Sequence, residues 1–264
     1  MKNYKNKIVF VVGGSTGLGK AVAREFVAKG AHVIIFSRTK SRLIQAISDL
    51  ERHRSAEKQI IAYQQMDITD EDQVTSGLTQ IMDKMRAPDV VINCVDAADA
   101  QGLFENSEAL AFHHAMQTNI YGVRHLVATL LPKMKIHGGS IVNTTSLSGF
   151  VGRGGQVQEC ASKFALLGFS EALRAELKPL NINLSLFCHT REDLVALEGN
   201  VQVTKVSSLK HADRTALSLI SGMEKGQFLI MPKFGDRIRM RAKRWFPRIT
   251  AWYQMRSFRL NAYG

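Results

Sequence analysis

The sequence predicts an α/β fold, a doubly wound parallel sheet of about seven strands with helices on both faces. Three observations support it: short β-branched runs alternate with helical patterns, these runs are mostly apolar, and a glycine-rich turn follows the first of them. The predicted strands cover residues 7–12, 32–36, 59–64, 90–94, 140–145, 183–187 and 227–231. The predicted helices lie near residues 17–29, 40–53, 70–85, 108–131, 156–178 and 210–223.

The composition is that of an ordinary soluble globular protein, with 45% hydrophobic and 22% charged residues. The length of 264 residues predicts one domain over residues 1–232 and a tail over residues 233–264. The cysteines, Cys94, Cys160 and Cys188, are far apart in the sequence, so neither a disulfide framework nor a zinc or other metal site is expected. No apolar stretch approaches the roughly 20 residues that cross a bilayer. We expect a reducing, cytoplasmic setting.

A glycine-rich turn, Gly13-Gly14-Ser15-Thr16-Gly17-Leu18-Gly19, joins the first predicted strand to the first predicted helix. Glycines at these spacings permit a tight turn and bring backbone N–H groups and a helix N-terminus up to a pyrophosphate. A plain strand-to-helix turn is the alternative, because glycines serve such turns as well. The turn therefore predicts a dinucleotide site.

Arg38 follows the second predicted strand, where a site for NAD normally places an acid. A guanidinium group can pair with a ribose 2′-phosphate, whereas an acid would repel it. Lys40 and Arg42 either add to this positive field or are solvated helix residues. The pattern favours NADP(H) over NAD(H).

Residues 139–177 carry the strongest family resemblance. They contain Ile-Val-Asn-Thr-Thr-Ser-Leu-Ser-Gly and then Ala-Ser-Lys-Phe-Ala-Leu-Leu-Gly, which resemble the short-chain dehydrogenases/reductases, a family with a Rossmann-type fold. The resemblance implies that Ser146 polarises a substrate carbonyl, that Lys163 holds the cofactor and lowers the pKa of a proton donor, and that Asn119 orders a relay water. It also implies these cofactor contacts: Gly13, Ser15, Thr16, Gly17, Leu18, Gly19, Arg38, Asp67, Ile68, Asn93 and Lys163. For Asp67 a helix cap or a turn is the alternative role.

Glu159 occupies the position of the catalytic tyrosine in the family's Y-x-x-x-K motif, four residues before Lys163. A phenol whose reference pKa is near 10 can give a proton to a developing alkoxide, whereas a carboxyl group of reference pKa about 4.3 is ionised and cannot. Burial without good pairing would raise that pKa and restore an acid. The alternative to any functional role is an i, i+4 ion pair between Glu159 and Lys163. We therefore expect impaired or altered proton transfer.

Two further positions depart from the family pattern. Asp96 stands where the family's N-N-A-G motif has its glycine, and it adds charge and bulk beside the cofactor path. His189 follows the sixth strand, where the family commonly has a Pro-Gly pair. We interpret His189 as a solvent-facing loop residue, with a base or a nicotinamide neighbour as the alternative. Residues 189–209 are predicted to form a mobile loop on the substrate side.

The predicted tail holds most of the net charge of +12. Its basic residues are Lys233, Arg237, Arg239, Arg241, Lys243, Arg244, Arg248, Arg256 and Arg259. One helical stripe carries the apolar residues Ile238, Ala242, Trp245, Ile249, Trp252 and Met255, and Pro247 is predicted to break the helix. This pattern suits an anionic membrane surface, and packing against the domain or a second subunit is the alternative. Nucleic-acid binding is disfavoured because no dedicated motif accompanies the charges.

The sequence as a whole predicts an NADP(H)-dependent oxidoreductase that acts on a carbonyl or alcohol of an apolar substrate such as a lipid. Similar tails occur in the branch of the family that resembles 3-ketosphinganine reductases, and this resemblance implies the lipid substrate. The alternative is a non-catalytic NADP(H)-binding protein that serves as a sensor or scaffold. We also expect a homodimer or homotetramer, and a peripheral location at the inner membrane face.

Overall fold

The computed structural model describes residues 3–97, 102–189 and 205–262. Its sheet has seven parallel strands in the order β3-β2-β1-β4-β5-β6-β7. The strands are β1 (Ile8–Val12), β2 (His32–Ser37), β3 (Ile61–Gln65), β4 (Val90–Asn93), β5 (Gly139–Ser146), β6 (Ile182–His189) and β7 (Leu229–Ile230). The predicted doubly wound α/β fold is confirmed.

The helices of the described ranges also follow the predicted pattern. They are α1 (Gly17–Ala28), α2 (Lys40–Glu51), α3 (Glu71–Lys84), α4 (Ala109–Met116), α5 (Gly122–Met134), α6 (Val157–Leu177), α7 (Lys205–Glu224), α8 (Phe234–Trp245) and α9 (Pro247–Ala262). The helix predicted over residues 108–131 consists of α4 and α5 joined by a π-helical turn, Gln117–Tyr121. Periodicity did not predict this turn, because one wider turn barely changes the apolar spacing.

Alternating side chains of the central strand build two apolar layers. Val9 and Val11 of β1 face the layer that holds residues of α1, α2 and α7. Phe10 and Val12 face the layer that holds residues of α3, α5 and α6. All five residues of β1 are buried, as a strand covered by helices on both faces requires.

The strand order reverses between β1 and β4. Val12 lies beside Phe36 of β2 on one side and beside Asn93 of β4 on the other. The chain continues outward from these two strands in opposite directions, so the loops that follow them separate and leave a crevice at the carboxyl ends. Gly13 and Asp96 lie in these two loops, and the predicted cofactor site therefore falls at the expected place in the fold.

The predicted bounds of the loop over residues 189–209 are wrong at both ends. His189 is the last residue of β6, and α7 begins at Lys205. Residues 190–204, for which a mobile substrate-side loop was predicted, lie outside the described residues.

The basic tail forms α8 and α9, and the predicted helix break at Pro247 is confirmed. Most of the predicted apolar stripe is exposed, namely Ile238, Trp245, Ile249, Trp252 and Met255. A different face of α8 contacts the domain: Lys243 donates a 2.8 Å hydrogen bond to the Phe150 carbonyl oxygen, and Arg237 donates one of 2.9 Å to that of Met231. Within the described ranges, no helix combines the length and the apolarity that a membrane crossing demands.

Candidate active site

The turn after β1 has the backbone geometry of a phosphate-binding loop. Gly13 has φ +77°, and a Cβ atom there would lie 2.9 Å from the Cys94 carbonyl group. A Cβ atom on Gly19 would overlap the Gly13 carbonyl oxygen. Thr16 precedes α1 in an extended conformation, its side chain makes no capping hydrogen bond, and the first turn contains no acid. The N–H groups of this turn thus suit the oxygens of a pyrophosphate.

Three cations lie at the end of β2. Arg38, Lys40 and Arg42 are exposed, and none of them forms a salt bridge with a carboxylate of the described residues. Gln65 donates a 2.9 Å hydrogen bond to the Arg38 carbonyl oxygen and so fixes the backbone there. The positive charge is therefore free to meet an anion of a ligand.

Asp67, Ile68 and Asn93 stabilise the loops around the crevice. Asp67 accepts hydrogen bonds from the backbone N–H and the hydroxyl of Thr69, at 3.0 and 2.8 Å, which is the turn role weighed against an adenine contact. Ile68 is buried. Asn93 accepts a 3.2 Å hydrogen bond from the backbone N–H of Val95 and so holds the turn after β4. Their contacts with a nucleotide stay predictions.

Asn119 joins two walls of the crevice. It lies in the π-helical turn, is buried, and donates a 2.9 Å hydrogen bond to the Ser162 hydroxyl. Its side-chain oxygen accepts a 3.3 Å hydrogen bond from the backbone N–H of Ala97, just after Asp96. The wide turn thus brings the amide between α6 and the loop after β4.

Ser146 and Glu159 are in direct contact. The Ser146 hydroxyl, at the end of β5, donates a 2.7 Å hydrogen bond to Oε1 of Glu159 in the first turn of α6. Both side chains are half-buried. The contact places a carboxylate beside the serine where the family motif has a phenol.

Lys163 pairs with Asp96 instead of forming the alternative ion pair with Glu159. Lys163 is 0% exposed, and its Nζ lies 2.6 Å from Oδ1 of Asp96, whose side chain is 23% exposed. The contact is an ion pair, and neither atom forms a hydrogen bond of good geometry with the described residues. A buried ammonium needs an anion beside it, and Asp96 supplies this anion from the end of the adjacent strand.

His189 is part of the same cluster, so its interpretation as a solvent-facing loop residue is wrong. It is buried at the end of β6, opposite Ser146 of β5, and its Nε2 lies 3.6 Å from Oδ2 of Asp96. Burial acts to raise the pKa of Asp96, but the charge of Lys163 and the contact with His189 outweigh it and lower the pKa to about 2. Asp96 is therefore a carboxylate at neutral pH.

The fold brings together Ser146, Glu159, Lys163 and Asn119 as the sequence predicted. The contacts of Asp96 with Lys163 and His189 were not predicted, although Asp96 was recognised as a departure from the family motif. The sequence offered one weak signal, because a lysine at a buried helical position is usually paired with an acid. A glycine turn at the switch point, a serine at the end of β5 and a buried lysine on α6 together define a doubly wound dehydrogenase.

A family model described as short chain dehydrogenase matches residues 7–191 of the sequence. The chain belongs to the short-chain dehydrogenase family, a family of oxidoreductases.

The similar curated proteins include 3-ketodihydrosphingosine reductases. The one from Bos taurus is 32% identical over 183 residues, which are 67% of this chain and 54% of that protein. The one from Dictyostelium discoideum is 29% identical over 249 residues, which are 86% of this chain and 74% of that protein. The chain spans about half the length of the bovine relative, 54%.

Solved structures share the fold. A short chain dehydrogenase/reductase from Burkholderia phymatum in complex with NAD superimposes with a TM-score of 0.79 at 17% identity, covering 94% of this chain and 96% of that one. L-sorbose reductase from Gluconobacter frateurii, complexed with NADPH and L-sorbose, gives a TM-score of 0.66 at 19% identity over 71% of each chain. At these identities the likeness concerns the architecture alone.

The lowered pKa of Asp96 predicts a stability term that depends on pH. The folded-state pKa is about 2, below the reference value of about 3.9. The ion pair therefore stabilises the fold fully above about pH 4, by about 2 to 3 kcal/mol, and this contribution is lost as the pH falls through 2. Urea unfolding should show that the free-energy difference between the wild type and Asp96→Asn is largest near neutral pH and shrinks in acid.

The matched control is Asp72→Asn, at an exposed acid in the first turn of α3. Its stability difference should be small at every pH. A constant difference for Asp96→Asn from neutral to acid pH would contradict the assigned ion pair.

Proposed function

We propose that the chain is an NADP(H)-dependent oxidoreductase that acts on a carbonyl or alcohol of an apolar, lipid-like substrate, with proton transfer altered by Glu159. The observation that carries this proposal is the 2.7 Å hydrogen bond between Ser146 and Glu159. This hydrogen bond holds Ser146 next to Glu159, which occupies the position of the family's proton donor, at the same edge of the sheet as the glycine turn. The reacting group of a substrate would lie against this pair.

The residues present fit a nicotinamide dinucleotide. The glycine turn offers N–H groups to the pyrophosphate, and Arg38 offers its charge to a 2′-phosphate. A bound nicotinamide would supply or accept the hydride. Lys163 forms an ion pair with Asp96 and no hydrogen bond with the described residues, so its N–H donors would be available to ribose hydroxyls. Ser146 would hold the substrate oxygen.

The proton step is the altered part of this site. A carboxylate accepts a proton and does not donate one, and its charge opposes a developing oxyanion. Glu159 therefore suits the removal of a proton from an alcohol better than the protonation of an alkoxide. The family's hydride transfer is compatible with either direction.

A partly exposed apolar side chain next to the serine supports a lipid-like substrate. Leu147, which follows Ser146 directly, is half-buried and packs against a small buried cluster of Phe150, Cys188 and Met231. The names of the similar curated proteins, 3-ketodihydrosphingosine reductases, point to the same class of substrate. A long-chain 3-keto compound of this kind is the substrate to test.

A non-catalytic NADP(H)-binding protein is the second candidate. The observation that favours it is that both family residues of the reaction centre already contact carboxylates of the chain itself, Ser146 with Glu159 and Lys163 with Asp96. Such a protein would bind the dinucleotide and serve as a sensor or scaffold.

The tail supports an anionic membrane surface as a partner. Its exposed apolar side chains, among them Trp245 and Trp252, lie on helices rich in arginine and lysine. Amphipathic helices of this composition lie in the plane of anionic bilayers. We therefore propose a peripheral place at the inner membrane face. A homodimer or homotetramer stays a prediction.

Arg38→Ser should weaken the binding of NADPH about tenfold, because a charge-assisted contact with the 2′-phosphate is lost. The binding of NADH should change little. Fluorescence titration measures both constants, and Arg52→Ser, at an exposed arginine in the same region of the chain, is the control. Equal losses for NADPH and NADH would contradict the assignment of the 2′-phosphate.

Glu159→Tyr should raise the rate of carbonyl reduction about a hundredfold or more, because the phenol restores a proton donor beside Ser146. The assay follows NADPH consumption with 3-ketodihydrosphingosine as substrate. Activity confined to the variant would favour the non-catalytic candidate. If the wild type reduces the substrate as fast as the variant does, Glu159 does not limit the reaction. If neither protein reduces the substrate, the proposed activity is contradicted.

Arg241→Glu combined with Arg248→Glu should reduce sedimentation with phosphatidylserine-containing vesicles about tenfold or more, because each basic residue near an anionic surface contributes about 1 kcal/mol. Both arginines are exposed, on α8 and α9 respectively. Lys58→Glu, at an exposed lysine of the domain, is the matched control. Unchanged sedimentation of the double variant would remove the membrane surface from the proposal.

A further inference from the structure

We infer that this site prefers the oxidised coenzyme: Glu159 gives it one uncompensated negative charge, so it binds NADP⁺ more tightly than NADPH. The inference rests on the proposed coenzyme site. It concerns the oxidation state of the ligand, which the loop after β1 and Arg38 do not distinguish, because both forms carry the same phosphates.

The charges around the crevice can be counted from the contacts. Lys163 and Asp96 lie 2.6 Å apart and cancel. Glu159 accepts a hydrogen bond from Ser146, whose hydroxyl is neutral, and no salt bridge to Glu159 is present in the described part of the chain. Among the charges of the described residues, one negative charge therefore remains at the reaction centre, that of Glu159.

Two other ionisable side chains lie near enough to affect this count. Arg153, in the loop before α6, is exposed, and solvent screens its charge. His189 faces Asp96 at 3.6 Å and adds a positive charge only when protonated. Both coenzyme forms are titrated at the same pH, so that the comparison is made with one state of the protein.

The two redox forms of the coenzyme differ by one charge in the same ring. The oxidised nicotinamide is cationic and the reduced ring is neutral, so only the oxidised form gains from a nearby carboxylate. A carboxylate and a cationic ring in one partly enclosed site attract each other more strongly than they do in water. Since Glu159 is half-buried and partly screened, we expect a preference of about tenfold.

The same charge favours the oxidation of an alcohol. In that direction the alcohol's C–H bond breaks and its electron pair leaves as hydride for the nicotinamide, while the O–H proton passes through the Ser146 hydroxyl to the Glu159 carboxylate. The carbonyl double bond would form in the same step, and no reactant other than the alcohol and the oxidised coenzyme would be needed. Tight binding of NADP⁺ and a carboxylate base therefore act together.

Isothermal titration calorimetry of NADP⁺ and NADPH tests the inference without a substrate. The wild type should bind NADP⁺ about tenfold more tightly than NADPH, and Glu159→Gln should bring the ratio of the two Kd values close to one, chiefly by weakening NADP⁺. Asp96→Asn should move the ratio in the same direction, because it leaves Lys163 uncompensated. The control is Glu57→Gln, at an exposed glutamate far from Glu159 in the sequence, and it should keep the wild-type ratio.

The outcomes separate this inference from the function on which it rests. Equal affinities in the wild type, or a preference that persists in both Glu159→Gln and Asp96→Asn, would overturn the charge preference and leave the coenzyme site intact. Failure of the folded wild type to bind either form would overturn the proposed function and this inference together. Circular dichroism of each variant establishes that a changed ratio belongs to a folded protein.

Discussion

The architecture of the candidate site depends on the burial of one ammonium group. Lys163 has no contact with solvent, and a fully buried lysine is usually paired with an anion. Asp96 meets this requirement from the loop after β4, and His189 adds a contact from the end of β6. The pair thereby ties α6 to the switch point of the sheet, and the hydrogen bonds of Asn119 to Ser162 and Ala97 reinforce the same connection. Side chains from four segments, α6, the loop after β4, the end of β6 and the π-helical turn, thus hold this wall of the crevice together.

The two ends of the crevice differ in how they are built. The turn after β1 depends on backbone geometry: Gly13 has a positive φ and presses against Cys94, and no side chain caps the start of α1. The reaction centre differs from the family pattern in its side chains. Two carboxylates, Asp96 and Glu159, take the places that the family pattern gives to a glycine and a tyrosine. A change of side chains leaves the fold intact, since it alters neither the strand register nor the helix packing. The family architecture can therefore accompany altered chemistry.

The sequence predicted the fold well because its signals are local. Within the described residues, each strand and helix lies where the apolar periodicity predicted it, with boundaries shifted by a few residues, except that the helix predicted over residues 108–131 is divided into α4 and α5. The glycine turn located the switch point. What it could not supply were contacts between distant segments: the pairing of Lys163 with Asp96 rather than with Glu159, and the burial of His189, depend on which strands are neighbours. The π-helical turn that places Asn119 was missed because one wider turn leaves the apolar spacing almost unchanged. Side-chain roles thus follow from topology, which local patterns do not encode.

The tail and the reaction centre are connected through one short stretch of chain. Ser146 ends β5, and four residues later the Phe150 carbonyl oxygen accepts the hydrogen bond from Lys243 of α8. Lys243 also lies 4.5 Å over the ring of Phe164, one residue after Lys163. The helix that presents its outer face to solvent is therefore anchored to the segments that carry the serine and the lysine. If that outer face lies on an anionic bilayer, as we propose, an apolar substrate dissolved in the bilayer would have only a short path to Ser146. Because transfer of a long alkyl chain through water costs about 0.8 kcal/mol per methylene group, such a short path would favour lipid substrates over small soluble carbonyl compounds.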